Sequence, residues 1–299
     1  MKNNQTMQPG NVIPGPGVAP VTPDRSIGAM LIDAGKISAE DAERILRHAK
    51  EKSLRFGDAA MSLRLATETD IQQVLARQFD YPYLLPGQSD VSPEVVAAWT
   101  PFNQQVEALR ALRSQLLLRW FTGAPAQRSL AVVSPDRGDG RTHLAANLAV
   151  VFSQMGERTL LVDADLRGAR QHELFGVKNS VGLSTVLAER ARSEAIQRVP
   201  GFVDLSILPA GPTPPNPLEL LGRGTFGDLI QQSVTQFDVV IIDTPAAAFG
   251  SDYQLVAQQA KGALAVARLN RTPLDACKVL AEEIRAAGAA VVGGVVNER

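Results

Sequence analysis

The chain has 299 residues, with 30 basic and 31 acidic side chains and a formal net charge of -1 at pH 7. Its length allows one large or two modest domains, and its balanced charge gives no electrostatic reason to expect nucleic-acid binding. A single cysteine excludes an intramolecular disulfide. No signal peptide and no apolar run of roughly 18 residues is evident, so we expect a cytoplasmic protein.

The first 86 residues contain a leader and a repeat. Residues 1–25 are rich in Pro, Gly, Asn and Gln, which predicts a disordered leader. Within residues 26–86, SIGAMLIDAGKISAEDAERILRHA aligns with RFGDAAMSLRLATETDIQQVLARQ and places Gly28 on Gly57. Each unit predicts a short helix, a turn and a longer helix that begins after Ser38 or Thr67.

This helical domain resembles the N-terminal domain of type II secretion and pilus ATPases. Some members of that group bind cyclic di-GMP through paired arginine–leucine–glycine repeats. Here Arg55-Phe56-Gly57 keeps one copy, while Arg25 to Gly28 is out of register. Arg64 also stands where the first repeat has Gly35. A protein-docking bundle and a cyclic di-GMP site are both open interpretations.

Prolines between residues 82 and 101 predict a linker over 87–101, followed by a second domain over 102–299. This domain begins with a predicted helix from Asn103 to Trp120. Three charged residues, Glu107, Arg110 and Arg113, share one face of that helix. A solvated charged stripe is the ordinary interpretation of such a face.

A predicted strand at Leu130–Val133, a glycine-containing loop over 134–141 and a helix over 142–155 form a phosphate-binding context, because loop amides and a helix N-terminus attract anions. Against the pattern G-x-x-x-x-G-K-[ST], Pro135 replaces the first glycine and Arg141 replaces the lysine. Thr142 supplies a hydroxyl suited to Mg²⁺. By itself this match is weak, and a turn without a ligand is the alternative.

Two further predicted strands end in carboxylates. The strand over 159–162 leads into Asp163 and Asp165, and the apolar run over 239–242 leads into Asp243, as in a Walker B motif. Ligands of open α/β sheets bind at the carboxyl ends of strands, and carboxylates hold Mg²⁺ or its waters. The three elements together predict a site for Mg²⁺ and ATP. Arginine is planar and forked, so a site that binds nucleotide but scarcely turns over is also open at Arg141.

Further predicted strands at Leu205–Leu208, Ala263–Ala267 and Val291–Val296 alternate with helices. This alternation of strands and helices predicts an α/β fold with a doubly wound, mostly parallel sheet, preceded by the small helical domain.

Residues from about 105 to 297 resemble the bacterial tyrosine kinases, or BY-kinases. The segments that carry the resemblance are the Glu107 helix, SPDRGDGRT, LLVDADLR, Gln171-His172-Glu173, GLSTVL, LPAGPTPPNPLELL and IIDTPA. The resemblance implies the P-loop fold of the deviant Walker (MinD/ParA-like) ATPases and Mg-ATP-dependent phosphorylation of tyrosines between subunits of a ring. It also implies recruitment to the inner membrane by a transmembrane chain-length determinant of exopolysaccharide export.

Roles for individual residues also follow from the resemblance. Arg141, Asp163 and Asp165 would be catalytic, with Asp163 helping to activate the tyrosine hydroxyl. The residues implied for Mg²⁺ are Thr142, Asp165 and Asp243. Those implied for the nucleotide are Gly138, Asp139, Gly140, Arg141, Thr142, His143, Asp243 and Asn297. The ring-interface motif would be Glu107, Arg110 and Arg113.

BY-kinases usually end in a tyrosine-rich tail, whereas this sequence has three tyrosines in all. We therefore expect the phosphate acceptor to be another protein, or Tyr81 and Tyr83. A different function is a MinD/ParA-like nucleotide switch without kinase activity, although Asp136 stands in place of that group's signature lysine. A third is a protein whose working part is the N-terminal bundle.

Overall fold

The computed structural model describes residues 26–78, 83–84, 87 and 89–298. The chain forms two compact units, Met1–Asp80 and Tyr81–Arg299. The leader predicted for residues 1–25 and the candidate acceptor Tyr81 lie outside the described residues. Within the described ranges, none of the helices has the length and apolar character needed to cross a bilayer.

The first unit consists of two consecutive helix pairs. Its helices are α1 (Ile27–Asp33), α2 (Ala39–Lys52), α3 (Phe56–Ser62) and α4 (Glu68–Gln78). The two pairs begin at equivalent positions of the repeat and enclose a small apolar core that includes Leu31, Ile45 and Ala59. This unit is thus a helical bundle built from duplicated hairpins.

Both long helices of this bundle begin with a capping box. The Asp41 amide donates to the Ser38 hydroxyl at 3.0 Å, and the Ser38 amide donates to the Asp41 carboxylate at 3.3 Å. The same reciprocal pair joins Thr67 and Asp70, at 3.2 and 3.0 Å. Each box satisfies backbone donors that a helix leaves unpaired at its start. The repeat therefore extends to the capping chemistry.

The turn inside each hairpin has a left-handed residue at the same repeat position. Gly35 has a φ of 66°, and its counterpart Arg64 has a φ of 56°. Glycine adopts this conformation without cost, whereas a side chain with a Cβ is strained there. Arg64 therefore carries backbone strain that the first hairpin avoids.

The second unit is built on one sheet. Its strands are β1 (Ser129–Val133), β2 (Thr159–Asp163), β3 (Gln197–Arg198), β4 (Leu205–Leu208), β5 (Val239–Asp243), β6 (Gly262–Arg268) and β7 (Ala290–Asn297). In the described part of the chain they are ordered β3-β4-β2-β5-β1-β6-β7, and every pair is parallel except β3 with β4. The predicted mostly parallel α/β sheet is confirmed.

Helices cover both faces of this sheet. They are α5 (Val96–Trp99), α6 (Gln104–Arg119), α7 (Arg141–Ser153), α8 (Gln171–Phe175), α9 (Leu183–Leu187), α10 (Pro217–Leu221), α11 (Gly224–Gln236), α12 (Asp252–Ala260) and α13 (Leu274–Ala286). One apolar core contains residues of α5 to α8, and the other contains residues of α9 to α13. The fold is therefore doubly wound, as predicted.

The helix after the glycine loop is more central than its pattern indicated. The helix predicted over 142–155 is shorter than expected, since α7 ends at Ser153 and Met155 is half exposed. Residues 144–153 of this helix are buried on all sides. Covering layers on both sides of α7, including the short α5, account for this burial.

The predicted linker over residues 87–101 is corrected by the structure. Val91, Val95 and Ala97 are buried in the core of the second unit. The Ala97 amide donates to Asn147 Oδ1 at 2.9 Å, and its carbonyl accepts from Gln154 Nε2 at 2.9 Å. Because both partners belong to α7 or its C-terminal end, residues 91–101 are packed structure that the frequent prolines concealed.

Candidate nucleotide site

Three neighbouring strands, β1, β2 and β5, end at one edge of the sheet. In the register of the parallel pairs, Asp163 lies opposite Asp243, and Val132 of β1 also pairs with Asp243. The loop that follows β1 therefore lies at the same edge as both carboxylates. The structure thus brings together the three elements that the sequence placed in separate motifs.

The backbone of the loop requires its two glycines. Gly138 and Gly140 have φ values of 86° and 103°, and a Cβ at Gly140 would lie 2.2 Å from Asn297 Nδ2. That amide donates to the Asp139 carbonyl at 3.2 Å. The end of β7 therefore holds the loop where α7 begins. The residues predicted to contact the nucleotide cluster at this point.

The Asp139 side chain holds the loop together. Its carboxylate is fully buried, accepts from the Asp136 amide at 2.9 Å and accepts from the Thr272 hydroxyl at 2.8 Å. The resemblance implies that Asp139 contacts the nucleotide. Because its carboxylate is engaged within the protein, the group that it can offer a phosphate is its backbone amide. Thr272 gave no sequence signal, since it lies far away in the chain.

Arg141 connects the loop to the end of β5. Its Nε donates to the Thr244 carbonyl at 2.9 Å, and its Nη1 donates to the Asp136 carbonyl at 2.8 Å and to the Ser134 hydroxyl. Among the described residues, Nη2 donates no hydrogen bond. Two guanidinium nitrogens thus hold the loop against the end of β5, and the third is available to bond a ligand.

Asp163 is buried and held by backbone donors. Its two oxygens accept from the amides of Asp165, Arg170 and Gln171 at 3.2, 3.1 and 3.0 Å. Burial and the nearby Asp243 carboxylate nevertheless raise the pKa of Asp163 well above its usual value. A carboxylate with a raised pKa is suited to accepting a proton from a bound hydroxyl.

Asp243 has one oxygen engaged and one without a partner. Its Oδ2 accepts from Gln171 Nε2 at 2.9 Å, while its Oδ1 is buried and has no partner in the described part of the chain. Burial raises the pKa of Asp243 to about 6, against the lowering effect of the Arg141 charge. An unsatisfied buried carboxylate oxygen is where a cation or its water would fit.

The surrounding donor set also fits Mg²⁺. Thr142, Asp165 and Asp243 offer hydroxyl and carboxylate oxygens, which are the ligands that this hard cation prefers. Asp165 is oriented by the amides of Arg167 and Gly168, which donate to its Oδ1 at 3.2 and 2.8 Å. The residues expected to hold the metal are therefore compatible with it in chemistry and burial.

A forked ion pair supports the loop after β2. The Arg167 guanidinium donates to both oxygens of Asp252 at 3.2 and 3.3 Å, and the Asp252 side chain is almost completely buried. This pair joins the segment that contains Asp165 to the start of α12. Sequence reasoning missed it because nothing local links two residues so far apart.

His143 lies beside the packed segment that precedes α5. Burial lowers the pKa of His143, and the Glu94 carboxylate nearby acts in the opposite direction. The resemblance implies that His143 also contacts the nucleotide. Its environment places it at the junction between α7 and the segment that contains Glu94.

The predicted ring-interface motif is divided by the structure. Glu107 is exposed and forms an ion pair with Arg110, whose guanidinium also lies 5.9 Å from the Phe102 ring centre. Arg113 Nη1 instead donates to the Val151 carbonyl at 2.7 Å, in the last turn of α7. Since carbonyls in a last helical turn lack intrahelical partners, Arg113 caps α7.

Comparisons with known proteins are consistent with this site. No protein-family model matches the sequence. The chain is 31% identical over 210 residues to tyrosine-protein kinase YwqD of Bacillus subtilis, covering 70% of this chain and 87% of that protein. It is 33% identical over 204 residues to tyrosine-protein kinase wzc of Salmonella typhimurium, covering 68% of this chain and 28% of that one. A putative tyrosine-protein kinase in the cps region of Klebsiella pneumoniae is 28% identical over 233 residues, covering 77% and 31%. This chain therefore spans less than a third of the latter two proteins.

Solved structures show the same likeness. The kinase domain of Escherichia coli tyrosine kinase ETK superposes with a TM-score of 0.65 at 30% identity, covering 68% of this chain and 79% of that one. The septum site-determining protein MinD of Pyrococcus horikoshii, complexed with Mg-ADP, superposes with a TM-score of 0.51 at 27% identity, covering 57% and 70%. The fold is thus shared with kinase domains and with a nucleotide-binding ATPase. With its identity to YwqD over most of that protein, the chain belongs to the bacterial tyrosine-protein kinase family.

Proposed function

We propose that this chain transfers the γ-phosphoryl group of ATP to protein tyrosines, with Mg²⁺ held by Thr142, Asp165 and Asp243. The observation that carries the proposal is the convergence of the glycine loop and the Asp163 and Asp243 carboxylates at one edge of the sheet. Bound Mg-ATP supplies the transferable phosphoryl group and neutralises its charge. The protein's share of the work is positioning and charge stabilisation.

The residues divide this work. Asp163 accepts the proton of the tyrosine hydroxyl as the oxygen forms its bond to phosphorus and ADP leaves. Its three backbone hydrogen bonds hold the carboxylate in place during this transfer. Arg141 Nη2 stabilises negative charge on the phosphates, while the amides of Gly138 to Gly140 cradle them.

The described tyrosines restrict the choice of acceptor. The Tyr253 hydroxyl is bonded to Glu283 and its side chain is almost fully buried, so it is not available for phosphorylation. We propose an acceptor on another protein, with Tyr83 and the undescribed Tyr81 as the candidates within this chain.

We further propose that the protein acts in exopolysaccharide assembly, at the inner membrane, through a transmembrane chain-length determinant. The Klebsiella relative in a cps region supports this setting. A homo-oligomeric ring would use the exposed Glu107 and its partner Arg110. The N-terminal bundle would dock a protein partner, and cyclic di-GMP is the alternative ligand, which titration of labelled cyclic di-GMP would test.

One observation favours the nucleotide switch as a second candidate. Two of the three guanidinium nitrogens of Arg141 are engaged within the protein, one with the Thr244 carbonyl after β5 and one with the loop. A loop held in this way can bind a nucleotide tightly while contributing little to the transfer step.

Phosphotransfer to a random glutamate–tyrosine copolymer would separate the two functions. The wild type, Arg141→Lys and Arg141→Met would each be incubated with Mg-ATP, and nucleotide binding would be measured in parallel. A kinase produces phosphotyrosine in the wild type. Tight binding without phosphotyrosine in both the wild type and Arg141→Lys would support the switch instead.

A further inference from the structure

Gln171 connects three parts of the candidate site. Its backbone amide donates to Asp163 Oδ2 at 3.0 Å. Its side-chain Nε2 donates to Asp243 Oδ2 at 2.9 Å and to the Thr142 carbonyl at 3.0 Å. The residue is fully buried. It is therefore the single residue in the described chain that bonds both paired carboxylates and the first turn of α7.

The orientation of its side-chain amide follows from these contacts. Nε2 carries two protons, and its two contacts are both to acceptor oxygens. Turning the amide over would place Oε1 against Asp243 Oδ2 and the Thr142 carbonyl, which is repulsive. The oxygen Oε1 must therefore point away from both of these partners.

Two buried acceptors remain unsatisfied around this network. Gln171 Oε1 and Asp243 Oδ1 are both buried and have no hydrogen-bond partner among the described residues. Leaving such atoms unpaired is costly, and native proteins do so rarely. Two such oxygens, on side chains that bond each other, indicate that a ligand with donors completes the site.

We propose that Gln171 is a positioning residue for the metal. By holding Asp243 through Oδ2, it leaves Oδ1 to face Mg²⁺ or one of its waters. Its own Oε1 accepts a hydrogen bond from a metal-bound water. This inference rests on the proposed Mg-nucleotide site and gives a role to Gln171, which lies in a segment that carries the resemblance but was assigned no role by it.

The competing explanation is that Gln171 only stabilises the fold. Gln154 is a suitable comparison, because it is also buried in the second unit and its Nε2 donates to the Ala97 carbonyl at 2.9 Å. That contact joins α7 to the packed segment before α6 and involves neither of the paired carboxylates. Gln154→Met therefore reports the loss of a buried amide that has no metal role.

The test measures the dissociation constant of a fluorescent ADP analogue in Mg²⁺ and in EDTA. In the wild type, Mg²⁺ tightens binding. In Gln171→Met, we expect this Mg²⁺ advantage to fall roughly tenfold, as is typical when a second-sphere partner is lost, with affinity in EDTA unchanged. Gln154→Met should keep the full advantage.

Should Gln171→Met fail to fold, Gln171→Asn carries the same test, because it keeps a polar amide that is too short to reach both acceptors. A full Mg²⁺ advantage in a folded Gln171 variant would overturn the inference and leave the proposed function standing. A wild type without any Mg²⁺ advantage would instead overturn the proposed function, and the inference with it.

Discussion

Asp163 and Asp243 occupy paired positions on two adjacent parallel strands, and both side chains are completely buried. Two carboxylates in this arrangement repel each other when both are ionised. The protein compensates with backbone donors at Asp163 and with the Arg141 charge near Asp243. A bound cation would complete this compensation. The stability of the folded second unit should therefore increase when a cation binds.

The stability of the second unit should therefore depend on pH. The pKa of Asp243 in the folded state is about 6, above its usual 3.8. Between these two pH values the folded state therefore binds more protons than the unfolded state. The protonated group stabilises the fold below pH 3.8, and this contribution is lost as pH rises through about 6. Relative to Asp243→Asn, the wild-type free energy of unfolding should fall by an amount on the order of 3 kcal/mol across this window.

Tryptophan fluorescence during urea unfolding would measure this effect. Both tryptophans of the chain, Trp99 and Trp120, lie in the second unit, so the signal reports that unit. If the difference in free energy of unfolding between the wild type and Asp243→Asn stayed constant from pH 4 to pH 7, the prediction would be wrong.

The sequence was sufficient for the parts of the site that depend on local pattern. Apolar runs located β1, β2 and β5, and the residues that follow them are the loop and carboxylates of the site. The antiparallel β3 was missed, because a two-residue strand has no periodicity to detect.

Contacts between distant residues could not be predicted from one sequence. The Asp139–Thr272 and Arg167–Asp252 pairs depend on how the chain winds across the sheet. The inward turn of Arg113 was also hidden, since helical spacing places it on the same face as Glu107 and Arg110. Its long side chain reaches α7 because α6 packs alongside that helix.

Arg141 variants should separate bracing from ligand binding. Arg141→Lys loses the hydrogen bond to the Thr244 carbonyl and should destabilise the second unit by about 1 kcal/mol, while keeping a positive charge for the nucleotide. Arg141→Met removes that charge and should weaken Mg-nucleotide binding about 10- to 100-fold. Unfolding and calorimetric binding measurements would check both effects.

Arg158→Met is the control, because Arg158 forms an exposed ion pair with Asp238 and lies outside the candidate site. Equal nucleotide affinity in Arg141→Met and the wild type would show that Nη2 does not face the ligand.

Arg64 offers a test of the repeat in the N-terminal bundle. Arg64→Gly relieves the left-handed strain at φ 56° and should stabilise the bundle by up to about 1 kcal/mol. Gly35→Ala introduces strain at the equivalent position and should destabilise it. Hydrogen exchange of the Leu65 amide, which bonds the Ala60 carbonyl across the turn, would report the change. Faster exchange of the Leu65 amide in Arg64→Gly than in the wild type would show that Arg64 carries no such strain.

Arg113 should behave as a structural residue. Arg113→Met removes the hydrogen bond to the Val151 carbonyl and should lower the free energy of unfolding by about 1–3 kcal/mol. Arg119→Met, at an exposed position of the same helix, should have little effect. If urea unfolding gave the same free energy of unfolding for both variants, Arg113 would not be a cap of α7.

Arg110 should instead affect assembly. If the exposed Glu107 and its partly buried partner Arg110 contribute to a ring, Arg110→Glu should lower the oligomer mass measured by light scattering, because it places like charges at the interface. Arg119→Glu provides the same charge change elsewhere on the helix. The same mass for Arg110→Glu and the wild type would show that this face is not the interface.

Mapping of phosphotyrosine would test whether this chain is a tyrosine kinase. The wild type and Asp163→Asn would be incubated with Mg-ATP and the cytoplasmic segment of a chain-length determinant, followed by mass spectrometry. We predict phosphotyrosine in the wild-type sample, at sites other than Tyr253, and its loss in Asp163→Asn although that variant still binds nucleotide. Tight Mg-ATP binding by the wild type with no phosphotyrosine in either sample would contradict the kinase assignment.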